Sequence, residues 1–114
     1  PSEEQYASQA MRYIQENYTR KITIHEIADA LSLSEGYLHR IFKKTQKMTI
    51  LEYINHYRIG VAIDLMQNRN ISLAEASARV GIDDPAYMSR LFKKITGLCS
   101  RDYFKQIAVA TEIF

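Results

Sequence analysis

The octets YLHRIFKK (Tyr37–Lys44) and YMSRLFKK (Tyr87–Lys94) lie fifty residues apart in a chain of 114 residues. Each octet places a tyrosine, an arginine and a Phe-Lys-Lys run at the same spacing. On a helical wheel the aromatic and aliphatic positions fall on one side, and the arginine and the first lysine fall on the other. The repeated octet therefore predicts two amphipathic helices, each with one packed face and one basic face.

The two predicted faces differ in chemistry, and they match between the two helices. The inward positions are Tyr37, Leu38, Ile41, Phe42 and Thr45 in the first helix, and Tyr87, Met88, Leu91, Phe92 and Ile95 in the second. The outward positions are Gly36, His39, Arg40 and Lys43 in the first helix, and Ala86, Ser89, Arg90 and Lys93 in the second.

The repeat extends beyond the octets. Residues 23–31 resemble residues 72–80 at an offset of 49, and the octets follow at an offset of 50. Each copy reads as a short helix, a tight turn and a longer helix. The turns are LSL (Leu31–Leu33) and VGIDD (Val80–Asp84), and Gly81 can adopt a positive φ in the second of them. This order of elements is the helix-turn-helix pattern.

Helix N-termini are signalled by local sequence along the whole chain. A Ser or Thr stands three residues before a Glu or Gln at Ser2, Thr23, Thr49 and Ser72, which is the capping-box signature. Ser34 and Asp84 are N-cap candidates for two more helices, Pro85 suits a first helical position, and Gly97 marks a helix end.

Apolar residues recur every three or four positions, and no segment shows the strict alternation of a strand. The sequence therefore predicts an all-α fold with two homeodomain-like helix-turn-helix subdomains and a long linker helix. The seven predicted helices are residues 3–18, 24–31, 35–46, 50–67, 73–80, 85–96 and 100–108. The predicted parts are residues 1–48, 49–68 (the linker) and 69–114.

Composition narrows the cellular setting. Cys99 is the single cysteine, so no intramolecular disulfide can form, and the chain suits a reducing cytoplasm. No apolar run approaches the roughly 20 residues of a membrane helix, and no signal peptide opens the chain. The chain begins PSEEQ without an initiator methionine, so we expect it to be a segment of a longer protein. The net charge of +2 says little about partners by itself.

A basic face on the second helix of a helix-turn-helix unit suits DNA. The major groove is about 12 Å wide and admits one helix, and an arginine can pair with the edge of a guanine. Lysines one turn further along suit phosphates, as does the helix N-terminus. The linker helix spans about 27 Å, so we expect it to hold two recognition helices about one DNA turn apart. The predicted partner is double-stranded DNA, which we expect to bend.

The chain resembles the DNA-binding domain of the AraC/XylS family of bacterial transcription regulators. The resemblance is carried by ITIHEIADALSLSEGYLHRIFKKTQKMTILEYINHYRI (Ile22–Ile59) and ISLAEASARVGIDDPAYMSRLFKKITG (Ile71–Gly97). It implies two helix-turn-helix units, a sensing or receiver domain elsewhere in the full protein, and activation through contact with RNA polymerase. It also implies a cytoplasmic protein associated with the nucleoid. The chain departs from the family pattern at Lys47, Ile82, Cys99-Ser100 and Phe104.

The resemblance assigns roles to particular positions. The base-facing residues it implies are Gly36, His39 and Arg40 in the first unit, and Pro85, Ala86, Ser89 and Arg90 in the second. The residues we assign to the DNA backbone are Ser34, Lys43, Lys44, Asp84, Lys93 and Lys94.

Other interpretations of these residues remain open at this point. The lysine pairs can be a solvated face, and Arg40 or Arg90 can pair with Glu35, Asp83 or Asp84 instead of DNA. A fifty-residue helical repeat also resembles an interaction module of the α-solenoid type, although two copies are fewer than such a module needs. The operator sequence and the effector cannot be derived from this sequence.

Catalytic and metal chemistry find no support in the sequence. The histidines His25, His39 and His56 lack the spacing of metal ligands, and Cys99 has no cysteine partner or catalytic His/Asp arrangement. No glycine-rich phosphate loop or paired-carboxylate motif is present. We therefore expect no enzyme activity, no metal and no cofactor.

Overall fold

The computed structural model describes the backbone of residues 1–113 and the side chains of residues 1–111. Over these residues the chain contains helices and connecting segments and no strand. The helices are α1 (Glu3–Asn17), α2 (Ile24–Ala30), α3 (Glu35–Gln46), α4 (Ile50–Arg69), α5 (Leu73–Arg79), α6 (Pro85–Thr96) and α7 (Ser100–Ile113). The predicted all-α fold is confirmed, with α4 and α7 extending further toward the C-terminus than the sequence indicated.

The chain divides into two compact units, Pro1–Tyr57 and Arg58–Phe114. The boundary falls within α4, so this helix contributes residues to both units. The first unit contains α1, α2 and α3, and the second contains α5, α6 and α7. The predicted parts 1–48, 49–68 and 69–114 stay a prediction about functional roles, in which α4 is the linker.

The N-caps explain why the helices begin where they do. The backbone N–H of Glu26 donates to the Thr23 hydroxyl at 3.1 Å, and the Thr23 N–H donates to the Glu26 carboxylate at 2.9 Å. Reciprocal boxes of the same kind form at Ser2 and Thr49. At Ser72 the hydroxyl accepts from the Glu75 N–H at 3.1 Å, but the Glu75 carboxylate accepts from that hydroxyl instead of completing the box.

The two helix-turn-helix turns use the left-handed backbone region at the same position of the repeat. Ser32 has φ 57° in the first turn, and Gly81 has φ 87° in the second, as predicted for the glycine. The turns are closed by the Leu33 N–H donating to the Ala28 carbonyl at 2.9 Å, and by the Ile82 N–H donating to the Ser77 carbonyl at 3.0 Å. The same backbone path is therefore built from different residues.

The core of each unit is centred on the phenylalanine of its octet. Phe42 and Phe92 are fully buried, as predicted. A tyrosine packs edge-to-face against each one, with ring centroids 5.8 Å apart for Phe42 and Tyr53 and 5.4 Å apart for Phe92 and Tyr103. The same inward positions are buried in both recognition helices: Leu38, Ile41 and Phe42 in α3, and Met88, Leu91 and Phe92 in α6.

The prediction that the octet tyrosines are core residues is wrong for Tyr87 and only partly right for Tyr37. Tyr87 is 37% exposed, and Tyr37 is half-buried. Both lie in the first turns of their helices, where the phenol ring reaches the edge of the packed face. A tyrosine tolerates this position because its ring is apolar and its hydroxyl is polar.

Candidate nucleic-acid interface

The outward face of α3 is exposed along its length. Gly36, His39, Arg40 and Lys43 are all exposed, on the side opposite the buried trio of that helix. A Cβ added at Gly36 would meet nothing within 4 Å, so this point of the surface is open. The exposed face of α3 is the one predicted from the sequence, and it can approach the inside of a groove closely.

The outward face of α6 repeats this arrangement. Ala86, Ser89, Arg90 and Lys93 are exposed, as is Pro85 at the first helical position. Pro85 has no N–H to donate, and the side chain of Ala86 is only a methyl group. The start of this face therefore offers fewer hydrogen bonds than the polar residues that follow it.

The N-caps of the two recognition helices are exposed and already hydrogen-bonded. The Ser34 hydroxyl accepts from the Tyr37 N–H at 3.2 Å, and the Asp84 carboxylate accepts from the Ala86 N–H at 3.0 Å. An ionised carboxylate has no proton to donate and repels phosphate. Any phosphate contact at the start of α6 must therefore come from main-chain N–H groups rather than from the Asp84 side chain.

The arginine of the first octet contacts an aromatic ring rather than a carboxylate of the described residues. Among the described residues no ion pair involves Arg40, and Glu35 instead lies 3.6 Å from His25, which also contacts Asp29 at 3.3 Å. The Arg40 guanidinium lies over the ring of Tyr37, 5.2 Å from its centroid. The alternative in which Glu35 neutralises Arg40 is therefore not realised in the structure.

The lysines of the two octets differ in their surroundings. Lys44 donates to Glu3 of α1 at 2.9 Å, and this hydrogen bond raises the pKa of Lys44 above its usual value. Within the part of the chain that the structure describes, Lys43, Lys93 and Lys94 form no ion pair. One of the four lysines predicted to bind the DNA backbone thus already has an anionic partner.

Metal sites and membrane spans are the two other features at issue for the described residues. The described side chains include no cluster of three or more His, Cys, Asp or Glu arranged to hold a metal ion. None of the helices within residues 1–113 combines the length and apolar character of a membrane span.

Comparison with known proteins identifies the family. A family model described as a helix-turn-helix domain matches residues 27–106, which include both recognition helices. The chain belongs to the AraC-type helix-turn-helix family. The matched residues contain all of α3, α4, α5 and α6, and relatives 33% identical to this chain are named as transcriptional or operon regulators.

Individual relatives agree with this assignment. The HTH-type transcriptional regulator YisR of Bacillus subtilis, described as uncharacterized, is 33% identical over 107 residues, which cover 94% of this chain. The chain spans 37% of the length of that relative. The C-terminal domain of AraT, a response regulator of Geobacillus stearothermophilus, is 26% identical with a TM-score of 0.82, over 89% of this chain and 84% of that one.

A second structure similar to this chain was solved together with DNA. The DNA-binding domain of AdpA in complex with a target DNA has a TM-score of 0.78 and covers 85% of this chain and 87% of that one. Its sequence is 18% identical, so the likeness shows a shared fold and nothing about individual contacts.

Sequence reasoning missed an ionic network that stabilises the first AraC-type unit. Arg20 donates to both oxygens of Glu26, at 2.7 and 3.2 Å, and the Tyr13 hydroxyl donates to the same carboxylate at 2.7 Å. The hydrogen bonds from Arg20, then Tyr13, then the Thr23 N–H lower the pKa of Glu26 from its usual 4.5 to about 2. The capping box was visible in the sequence, but no local signal pointed to Arg20 or Tyr13.

Proposed function

We propose that the chain binds double-stranded DNA sequence-specifically by inserting α3 and α6 into successive major grooves. The observation that supports this most is the recurrence of one exposed face on two recognition helices. Each face presents a small residue, then a polar residue and an arginine, then a lysine. Three residues at equivalent positions are buried on the opposite side of each helix. A basic stripe of this width fits a groove about 12 Å wide.

The roles of the side chains follow from their chemistry. Arg40 and Arg90 can each make two hydrogen bonds to the edge of a guanine, while His39 and Ser89 can reach base edges or phosphate. Gly36 permits close approach of the α3 backbone. Pro85 and Ala86 make few hydrogen bonds, so we propose that the second unit reads fewer bases than the first. The backbone contacts are proposed for Lys43, Lys44, Lys93, Lys94 and the helix starts at Ser34 and Asp84.

The linker helix sets the expected geometry of the binding site. The 20 residues of α4 correspond to about 30 Å of helix. We propose that the two recognition helices bind successive major grooves, which lie about one helical turn of DNA, or about 34 Å, apart along the duplex. Both would then lie on one face of the duplex, and the DNA would bend to meet them.

The role of the whole protein is a proposal that goes beyond this chain. We propose a cytoplasmic, nucleoid-associated transcription regulator that contacts RNA polymerase as an activator and has a sensing or receiver domain outside this segment. AraT is a response regulator, which favours a receiver domain. We propose no catalytic role for this chain, although one relative, AdaA of Bacillus subtilis, is a bifunctional transcriptional activator and DNA repair enzyme.

Selection from a random duplex library tests the proposal directly. The chain is incubated with the library at about physiological salt, where specific and non-specific complexes separate well. We expect an enriched site with two unequal boxes centred about ten base pairs apart. A single box would contradict the two-groove arrangement. A folded chain that enriches no sequence would contradict sequence-specific binding by this segment and favour a helical interaction module.

A further inference from the structure

The contact between Tyr37 and Arg40 joins a half-buried ring to the arginine that we assign to base reading. The two residues are three positions apart on α3, so their side chains lie on adjoining parts of the helix surface. The guanidinium lies over the ring at 5.2 Å from the centroid, within the range of a cation–π interaction. Because Arg40 has no carboxylate partner among the described residues, the ring is the group that restricts it.

The second unit has the same residue pair at the same spacing but arranges it differently. Tyr87 lies near Arg58 of α4, which is half-buried. Burial lowers the pKa of the Arg58 guanidinium, and the electrostatic interaction with Tyr87 opposes that shift. Over the residues that the structure describes, Arg90 forms neither an ion pair nor a cation–π interaction.

We propose that Tyr37 is a positioning residue that holds Arg40 in an orientation suited to one base pair, and that Tyr87 has no such role toward Arg90. The proposal rests on the DNA-binding function proposed above and assigns most of its sequence discrimination to the first unit. The proposal thus adds Tyr37, on the inward side of α3, to the outward residues of α3 that the sequence indicated for DNA reading.

The physical reason is the entropy of the arginine side chain. A long side chain that is free in the unbound protein loses rotamer freedom when it forms two fixed hydrogen bonds to a base. An arginine already held over a ring loses less freedom, and its planar group is confined to fewer directions. An unrestrained arginine can meet a phosphate or a base with equal ease, so it contributes affinity with less discrimination.

The test compares dissociation constants for three duplexes at one salt concentration. These are the selected site, the same site with the base pair read by Arg40 replaced, and a duplex of unrelated sequence. The base pair read by Arg40 is identified as the one whose replacement no longer changes the dissociation constant of the Arg40→Ala variant. The variants are Tyr37→Leu, which removes the ring, Tyr37→Phe, which keeps it, and Tyr87→Leu as the matched control in the other unit.

We expect Tyr37→Leu to lower discrimination at that base pair by about two- to fivefold, the range of an exposed cation–π contact. Affinity for the unrelated duplex should not change, and this also shows that the variant is folded. Tyr37→Phe should retain discrimination, and Tyr87→Leu should leave it unchanged at the same position. If Tyr37→Leu does not fold, Tyr37→Met removes the ring with a side chain that adapts to the gap.

A double-mutant cycle between Tyr37→Leu and Arg40→Ala decides between positioning and a general structural role. If Tyr37 acts through Arg40, the double variant discriminates no worse than Arg40→Ala alone. Additive losses, or an equal loss from Tyr87→Leu, would overturn the inference while leaving DNA binding intact. If the unmodified chain itself does not prefer its selected site, the proposed function fails, which is a separate result.

Discussion

The two helix-turn-helix units share the octet pattern and bury the same three positions of the recognition helix, yet they stabilise the same backbone path differently. At two equivalent left-handed positions of the repeat the second unit has glycine, Gly81 in the turn and Gly97 after the recognition helix, while Asn70 is its one described non-glycine residue with a positive φ. The first unit has Ser32 and Lys47 at the two equivalent positions, with φ of 57° and 62°. A side chain with a Cβ is strained in this region, so at these two positions the first unit carries a conformational cost that the second avoids.

Each unit has polar contacts that the other lacks. In the first unit Arg20 and Tyr13 converge on Glu26, whereas the corresponding acid of the second unit, Glu75, contacts the hydroxyl of its own cap. In the second unit the buried Ser77 hydroxyl donates to the Ile82 carbonyl at 2.6 Å, where the first unit has an alanine. The repeated octet therefore determines which face of each recognition helix packs and which is exposed. The polar contacts that stabilise each unit are its own.

The largest expected effect is on DNA binding. Arg40→Glu combined with Arg90→Glu should weaken binding to the selected site by about a hundredfold or more, because two base contacts become repulsive toward DNA. Fluorescence anisotropy with labelled duplex measures the loss, and circular dichroism checks that the helices remain. Comparing the single variants sharpens the contrast, since Arg40→Glu should reduce discrimination between sites more than Arg90→Glu.

The matched control is Arg12→Glu, which reverses a charge on an exposed residue of α1. It should weaken binding far less than Arg40→Glu. Equal weakening by both variants would mean that overall charge, rather than the outward face of α3, governs binding.

The ionic network of the first unit should be visible in acid. The folded pKa of Glu26 is about 2, below the usual 4.5, so its contribution to stability is fully present above about pH 4.5. That contribution is lost as the pH falls through about 2. Urea unfolding between pH 6 and pH 2 should therefore show a flatter pH dependence for Glu26→Gln than for the unmodified chain. Glu75→Gln is the matched control, and identical curves for the two variants would refute the network's role.

Exchanging residues at the left-handed positions should alter stability in opposite directions. Ser32→Gly and Lys47→Gly should each raise the free energy of unfolding by about 0.5–1 kcal/mol, because the strain of the Cβ disappears. Gly81→Ser and Gly97→Lys should lower it by a similar amount. Denaturant titration measures both sets. If Gly81→Ser raised the free energy of unfolding instead, a positive φ would not carry the same conformational cost in the two turns.

The smallest expected effect concerns the pair between Lys44 and Glu3. Glu3→Gln releases Lys44 for phosphate, so affinity at low salt should rise about two- to fivefold, and the slope of log K against log salt should steepen by about 0.9. Titrations at several salt concentrations measure this slope. Glu4→Gln removes the same charge without a hydrogen bond to Lys44 and should have a weaker effect. An equal effect from both variants would point to net charge alone.

Much of the fold could be predicted because its signals are local. A cap and its partner are three residues apart, as in Thr23 and Glu26, and the helical period places Phe42 inward and Arg40 outward without knowledge of other helices. The octet tyrosines were the exception. Periodicity assigned Tyr37 and Tyr87 to the core, but their position near the start of each helix brings them to its edge.

By itself, therefore, the sequence determined the seven helices, the two repeated units and the exposed basic faces, since each depends on residues within a few turns of one another. The tertiary structure alone decided which charged groups have partners from distant parts of the sequence. Lys44 meets Glu3 across 41 residues of sequence, and Tyr13 meets Glu26 across 13. Such pairs depend on how one helix packs against another, and that packing brings together side chains that no short sequence pattern relates.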